Sequence, residues 1–205
     1  MQIQQNSSEG ECFPQPNIGL DSHLIIVEAI AGLAEAQDQT NIDVFANLVL
    51  AVTLMPKNAA EVYVSRLRQD QQEKDSSTRT DNKARSLLRL ACDICIGSWA
   101  QPGFSADQAA YILKQTLKSA TKILGNNQKA RDYFEELVKW MWETNLTNQH
   151  NFSDNPQFPI SIDQVGRIAT LMGVKLPDEK DALAEGQQQR AAMNERLKNV
   201  NTGIQ

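Results

Sequence analysis

The chain has 205 residues, of which 41% are hydrophobic, 22% charged and 6% aromatic, so it suits one ordinary globular domain. Ten glycines and few alternating β-branched residues argue against a sheet protein with many tight turns. The net charge of −5, with no Lys or Arg in residues 1–56, discourages nonspecific binding of nucleic acid.

The first third of the chain predicts an arm followed by three helices. Residues 1–19 are rich in Gln, Asn, Ser and Pro, which is typical of an irregular segment. Asp21 or Ser22 then caps a first helix. The stretch "NIDVFANLVLAVTLM" is apolar almost all round and stops at Pro56, which predicts a central, buried helix. A third helix starts at Asn58 and fades into "RQDQQEKDSSTRTDN", whose last part we predict as a solvated loop.

The middle of the chain predicts two helices with clear signals. The fourth helix carries one apolar face and ends before "QPGF"; the face consists of Ala84, Leu87, Leu88, Ala91 and Cys95. A capping box of Ser105 and Gln108 opens the fifth helix, and Gly125 is placed to end it.

The sixth helix begins at Asn127 as its cap, and the segment "TNLTNQHNFSDNPQFP" after it predicts a long loop. A second capping box, Ser161 with Gln164, opens a short seventh helix that ends at Gly173.

The last segment has a weak helical pattern that begins near Pro177. Leu183 and Met193 are far apart, and Gly186 falls between them, so no continuous apolar stripe forms. We therefore expect this tail to add little to the stability of the fold and to reach a neighbouring subunit or partner.

Together these elements predict an all-α fold: a single helical domain of about seven helices with irregular N- and C-terminal arms. The predicted boundaries are an arm at residues 1–19, a helical domain at 20–176 and a weakly helical or extended tail at 177–205. The N-terminus lacks the features of a signal peptide, and no apolar run has the length of a membrane span, so we expect a cytoplasmic protein without membrane insertion.

The three cysteines argue for a reducing compartment, because an odd number cannot all pair. Cys92 and Cys95 form a CxxC motif late in the fourth helix, whereas a redox pair needs a thiolate at a helix N-terminus. A zinc site needs two more ligands, and the only histidines, His23 and His150, are distant in sequence. We expect two buried thiols and no metal; a metal site completed by a second chain is the alternative.

No arrangement of residues predicts catalysis. His23 and His150 lie outside any context that resembles a Ser/His/Asp triad, and Glu135 with Glu136 is more simply a solvated helix face beside Lys139. No glycine-rich phosphate loop occurs. We therefore expect no enzymatic activity and no cofactor.

The segment "FEELVKWMWETN" raises the question of which tryptophan faces outward. Trp140 follows Leu137 by three residues and flanks the core stripe, while Trp142 falls on the other flank beside Lys139 and Glu135. The ring of Trp142 either packs under the 145–160 loop or meets a partner. We assign Trp142 to partner binding, together with two apolar residues of the tail, Leu183 and Met193.

A basic stretch supports a second interpretation. Six of the seven cations between residues 66 and 89 are assigned to a phosphate backbone: Arg66, Arg68, Arg79, Lys83, Arg85 and Arg89. Acidic residues are interleaved with them, and no aromatic residue lies within the stretch to stack on bases.

The leading hypothesis is a non-enzymatic helical subunit of a larger assembly (an adaptor, scaffold or structural component) that contacts other protein subunits, or copies of itself, through its terminal arms. The alternative is a nucleic-acid-associated protein, such as a small subunit that coats RNA, which uses the basic 66–89 stretch.

Overall fold

The computed structural model describes residues 22–53, 57–99, 103–152 and 162–202, and these ranges form eight α-helices without a strand, which confirms the all-α fold class. The helices are α1 (Ser22–Glu35), α2 (Gln39–Thr53), α3 (Lys57–Gln72), α4 (Ser76–Ser98), α5 (Ala106–Leu124), α6 (Asn127–Phe152), α7 (Ile162–Met172) and α8 (Glu179–Thr202). The predicted N-terminal arm, residues 1–19, lies outside the described ranges.

The centre of the fold is α4, which packs against α1, α3, α5, α6 and α7. Its predicted apolar face is buried throughout, including Leu87, Leu88 and Cys95. The prediction that α2 is the central helix is wrong. It packs against α1 and α3, and its outer face leaves Val44 57% exposed, because a helix with two neighbours on one side cannot bury apolar residues all round.

The predicted loop between the third and fourth helices is also wrong. Helix α4 already begins at Ser76, since the Asp75 side chain caps it by accepting from the Thr78 backbone N–H at 2.8 Å. The connection is therefore reduced to residues 73–75, and the polar run forms the exposed first turns of α4. A polar helix of this kind is stable because its later turns are anchored in the core.

The local capping signals around α5 and α7 are confirmed where the structure describes them. Ser105 and Gln108 form the capping box of α5, and Gly125 adopts the left-handed conformation with φ of 62° at its end. Gly173 likewise has a positive φ after α7. The second predicted capping box includes Ser161, which lies outside the described residues.

Helix α6 begins one residue earlier and ends later than its sequence pattern indicates. The side chain of Asn126, rather than Asn127, accepts from the Lys129 backbone N–H at 3.0 Å. At the other end the helix continues to Phe152, so the first half of the predicted loop is helical, while residues 153–160 lie outside the described ranges. The extension buries Leu146 and Thr147.

The C-terminal tail is a helix that packs against α6. Ala182 of α8 is buried, and the backbone of Gly186 approaches α6 so closely that an added Cβ would lie 2.0 Å from Thr147 Oγ1 and 3.3 Å from the Glu143 carbonyl oxygen. The glycine that interrupts the apolar pattern therefore lies where the two helices approach too closely for a larger residue.

Gly186→Ala tests whether α8 stabilises the fold. Helix propensity alone would favour alanine by about 1 kcal/mol, but overpacking against Thr147 costs about 1–3 kcal/mol, so we expect a net loss of unfolding free energy. The matched control is Gly97→Ala in α4, where an added Cβ meets no atom within 4 Å and stabilisation is expected. Urea unfolding of both variants measures the effect. Equal stabilisation by both would show that α8 is not held against α6.

Candidate partner-binding site

Helices α3, α4 and α6 enclose a groove made of two adjoining cavities of about 410 and 290 Å³ that share Arg85, Leu137 and Trp140. We call it the arginine–tryptophan groove. Its lining residues are Val62, Tyr63, Arg66, Arg85, Ser86, Arg89, Asp93, Tyr133, Glu136, Leu137 and Trp140.

The apolar part of the groove is open to solvent. Trp140 is 46% exposed and Val62 is 50% exposed, while the neighbours of Trp140 on α6, Val138 and Met141, are buried. A large aromatic side chain that stays exposed beside an exposed aliphatic one is typical of a surface that a partner covers.

Two of the arginines in the groove are held over aromatic rings. The Arg85 guanidinium carbon lies 3.8 Å from the centroid of Tyr133, and its Nη2 lies 3.3 Å from Glu136 Oε2. The Arg89 guanidinium carbon lies 4.9 Å from the centroid of Trp140. Such stacking fixes the direction of each guanidinium and lowers the entropy lost when it binds a ligand.

Asp93 organises the inner end of the groove. It accepts a hydrogen bond from the Tyr63 hydroxyl and pairs with Arg89, whose Nε lies 2.9 Å from Asp93 Oδ2. Burial and the adjacent Asp93 charge raise the pKa of Tyr63, so its hydroxyl stays protonated as a donor. Burial acts to lower the pKa of Arg89, but the interactions with Asp93 and Tyr63 together outweigh it and raise that pKa overall.

The structure divides the six predicted nucleic-acid-binding cations between separate places. Arg66, Arg85 and Arg89 line the arginine–tryptophan groove. Arg68 instead pairs with Asp43 at 2.8 Å, and Lys83 donates to the Ala36 carbonyl oxygen at 2.6 Å. Arg79 and Lys83 line a different cavity of about 340 Å³ beside α1 and α2. Because a helix turns every 3.6 residues, a run of cations in sequence does not form a single stripe.

Asp70 is buried and lines the cavity of about 340 Å³ beside α1 and α2. Burial raises the pKa of the Asp70 carboxyl more than hydrogen bonds from Ser86 and Asn82 lower that pKa. Since the folded pKa exceeds the unfolded one, ionisation destabilises the fold at pH 7, and this cost disappears as the pH falls through the folded pKa. We therefore expect Asp70→Asn to stabilise the protein at pH 7 and to have little effect at acidic pH, measured by urea unfolding at both.

Asp75→Ala is the control with the opposite sign. Hydrogen bonds from Thr78 lower the pKa of the Asp75 carboxyl, so its stabilising effect is present at pH 7 and is lost as the pH falls. We expect this variant to be less stable than the wild-type chain at pH 7, because it loses the side chain that caps α4. Destabilisation by Asp70→Asn at pH 7 would contradict the assignment of Asp70 as a buried, costly charge.

The three residues assigned to partner binding from the sequence lie on α6 and α8. Trp142 is half-buried, packs against the core and lines an open cavity of about 740 Å³ with Trp99 and Arg167. Leu183 is half-buried on α8, and the side chain of Met193 lies outside the part of the chain that the structure describes. The assignment of these residues remains a prediction.

Sequence reasoning missed Trp140, although a signal was present. The core stripe of α6 contains Phe134, Val138 and Met141. Trp142 follows Val138 by four residues and so lies near the stripe, whereas Trp140 follows it by two and points away. The helical spacing therefore favours Trp140 as the outward tryptophan.

The two cysteines of the CxxC motif are buried inside the fold, and His23 lies against an aromatic ring. Cys92 and Cys95 are both buried, and burial raises the pKa of Cys92 well above its usual value and that of Cys95 to about 12. His23 stacks edge-on against Tyr111 with ring centroids 5.5 Å apart. Among the described residues, no group of three or more His, Cys, Asp or Glu side chains is placed to hold a metal ion.

The fold and the groove define a class: an all-α protein with a mixed basic and aromatic surface site. Comparisons with protein-family models, curated proteins and solved structures found no match for this chain. Within the ranges that the structure describes, every helix is too short or too polar to span a membrane.

Proposed function

We propose that this protein is a non-enzymatic helical subunit of a larger assembly, acting as an adaptor, scaffold or structural component, and that it binds another protein chain through the arginine–tryptophan groove. The observation that supports this most directly is the exposed Trp140 ring, which lies beside Val62 and under the Arg89 guanidinium. Tryptophan and arginine, with tyrosine, are enriched among the residues that dominate protein–protein binding energy.

The charges of the groove also favour a protein partner. Arg85 and Arg89 already have acidic neighbours in Glu136 and Asp93, so the groove combines both signs of charge with apolar surface. Protein interfaces commonly have this composition, with an aromatic centre and a polar rim. A surface for a long phosphate backbone would instead present many unpaired cations.

Val62→Asp tests the proposed function, because it adds a charge to the apolar part of the groove at a site exposed enough to leave the fold intact. Val44→Asp is the matched control, since Val44 is 57% exposed on α2. We expect the wild-type chain and Val44→Asp to elute from a native extract of the source cells in a complex well above 22.8 kDa. Val62→Asp should elute as the free chain, and its retention in the complex would refute a role for the groove.

Binding of single-stranded nucleic acid is a second candidate, supported by one specific observation. The basic stretch itself contains no aromatic ring on which a base could stack. In the fold, Trp140 of α6 lies beside Arg85 and Arg89 and supplies such a ring. A base stacked on Trp140 with phosphates on Arg66 and Arg85 would bind weakly and with a strong salt dependence. Titration of single-stranded RNA at about 50 mM salt tests it; binding that Arg85→Glu does not weaken would exclude this groove as the site.

A further inference from the structure

We propose that the arginine–tryptophan groove binds the acidic N-terminal segment at residues 9–13 of a second copy of this chain. This inference rests on the proposed function, because it names the protein segment that the groove receives. A groove that binds a segment of its own chain in another copy joins subunits without any other partner.

Charge complementarity is the first argument. The cations of the groove, Arg66, Arg85 and Arg89, outnumber its carboxylates, Asp93 and Glu136. Residues 1–56 carry seven acidic side chains and no Lys or Arg, and two of the seven, Glu9 and Glu11, lie within the segment. Opposite charges on groove and segment steer the encounter and fix its register.

The spacing within "EGECFPQP" is the second argument. In an extended chain alternate side chains point the same way, so Glu9, Glu11 and Phe13 share one face at intervals of about 6.6 Å. Phe13 precedes a proline, a position that favours extended backbone, and this preference would lower the entropy lost on binding. In an extended conformation the segment would present two carboxylates and one aromatic ring in a row.

That pattern matches what the groove offers. Arg66 and Arg85 are exposed at the surface, and the Arg85 guanidinium keeps N–H donors beyond the nitrogen that contacts Glu136. Val62, Leu137 and Trp140 form an apolar surface for the Phe13 ring. An aromatic ring against Trp140 gains an edge or offset contact in addition to the apolar area that it buries. The same face of the segment therefore satisfies both parts of the groove.

Cross-linking of the full chain tests the inference directly, because Cys12 lies in the segment and the other two cysteines are buried. In Val62→Cys, a short bifunctional maleimide should join Cys12 to residue 62 of a second copy and give a product of twice the chain mass. Val44→Cys is the matched control, with comparable exposure on α2. We expect a dimer yield on the order of tenfold higher for Val62→Cys, because a bound segment raises the effective concentration of Cys12 beside residue 62.

A charge exchange gives an independent readout. Glu9→Arg with Glu11→Arg, and separately Arg66→Glu with Arg85→Glu, should each weaken self-association in sedimentation velocity by tenfold or more, by the order expected for juxtaposed like charges. Mixing the two variants should restore association, since the segment of one now complements the groove of the other. Failure of the mixture to associate would overturn the inference.

The remaining outcomes separate this inference from the proposed function. A cross-link within one chain would overturn it, because the groove would then hold its own segment. If Val62→Asp is released from the native complex but Val62→Cys gives no cross-link to Cys12, the inference is also overturned. The groove would then bind a different protein. Binding of RNA in the groove with no self-association would overturn both.

Discussion

Trp142→Ala is expected to destabilise the fold, whereas Trp140→Ala is expected to weaken assembly and leave the fold nearly as stable. Trp142 is half-buried against the core, so its loss should leave a cavity and lower the free energy of unfolding by about 3 kcal/mol. Trp140 is 46% exposed, so its loss should change that free energy by less than about 1 kcal/mol. If the groove binds a partner, Trp140→Ala should weaken the complex by about 2 kcal/mol, close to thirtyfold.

Urea unfolding and quantitative native electrophoresis across a dilution series measure the two effects separately. Tyr111→Ala is the control for an exposed aromatic residue, since Tyr111 is 38% exposed on α5, outside the groove. The comparison also tests the assignment of Trp142 to partner binding. An intact fold with a weakened complex in Trp142→Ala would favour that assignment, whereas an unaffected complex in Trp140→Ala would remove the main support for the groove.

Asp93→Ala is the second substitution with a large expected effect. Asp93 is the common acceptor for the Tyr63 hydroxyl and the Arg89 guanidinium, so its removal leaves two partly buried donors without their acceptor. Because the pair with Arg89 keeps some contact with solvent, we expect a loss of about 2 kcal/mol of unfolding free energy, below the value for a fully buried pair.

Asp93→Asn separates the hydrogen bonds of Asp93 from its charge. The amide oxygen still accepts from Tyr63 or Arg89, so this variant should lose less stability than Asp93→Ala. Chemical denaturation of both variants, with Tyr63→Phe as a milder removal of one donor, measures the order. Equal losses in Asp93→Asn and Asp93→Ala would mean that the charge, and not the hydrogen bonds, holds this end of the groove.

Features encoded by neighbouring residues were predictable from the sequence. The capping box of Ser105 and Gln108 and the glycine ends at Gly125 and Gly173 depend on atoms within one helical turn, so the local sequence specifies them. The apolar stripes of α4 and α5 were predictable for the same reason, because periodicity alone selects the side that is buried.

Other features depended on contacts between helices. The pattern of α2 is apolar all round, but only packing decided that it lies at the edge, with Val44 exposed. The extension of α6 to Phe152 opposes the preference of its Asn- and Thr-rich end, and the contact with α8 near Thr147 supports it. Intrinsic helix preferences are worth less than about 1 kcal/mol per residue, so burial overrides them.

The candidate site is the part that only the tertiary structure could decide. The sequence did supply Arg66, Arg85 and Arg89 as candidates, but it grouped them with Arg68 and Lys83, which point elsewhere. Val62, Arg89 and Trp140 come from three helices and meet because α3 and α6 both pack against α4. Linear spacing relates side chains within one helix, whereas the packing of the core determines which faces of different helices meet.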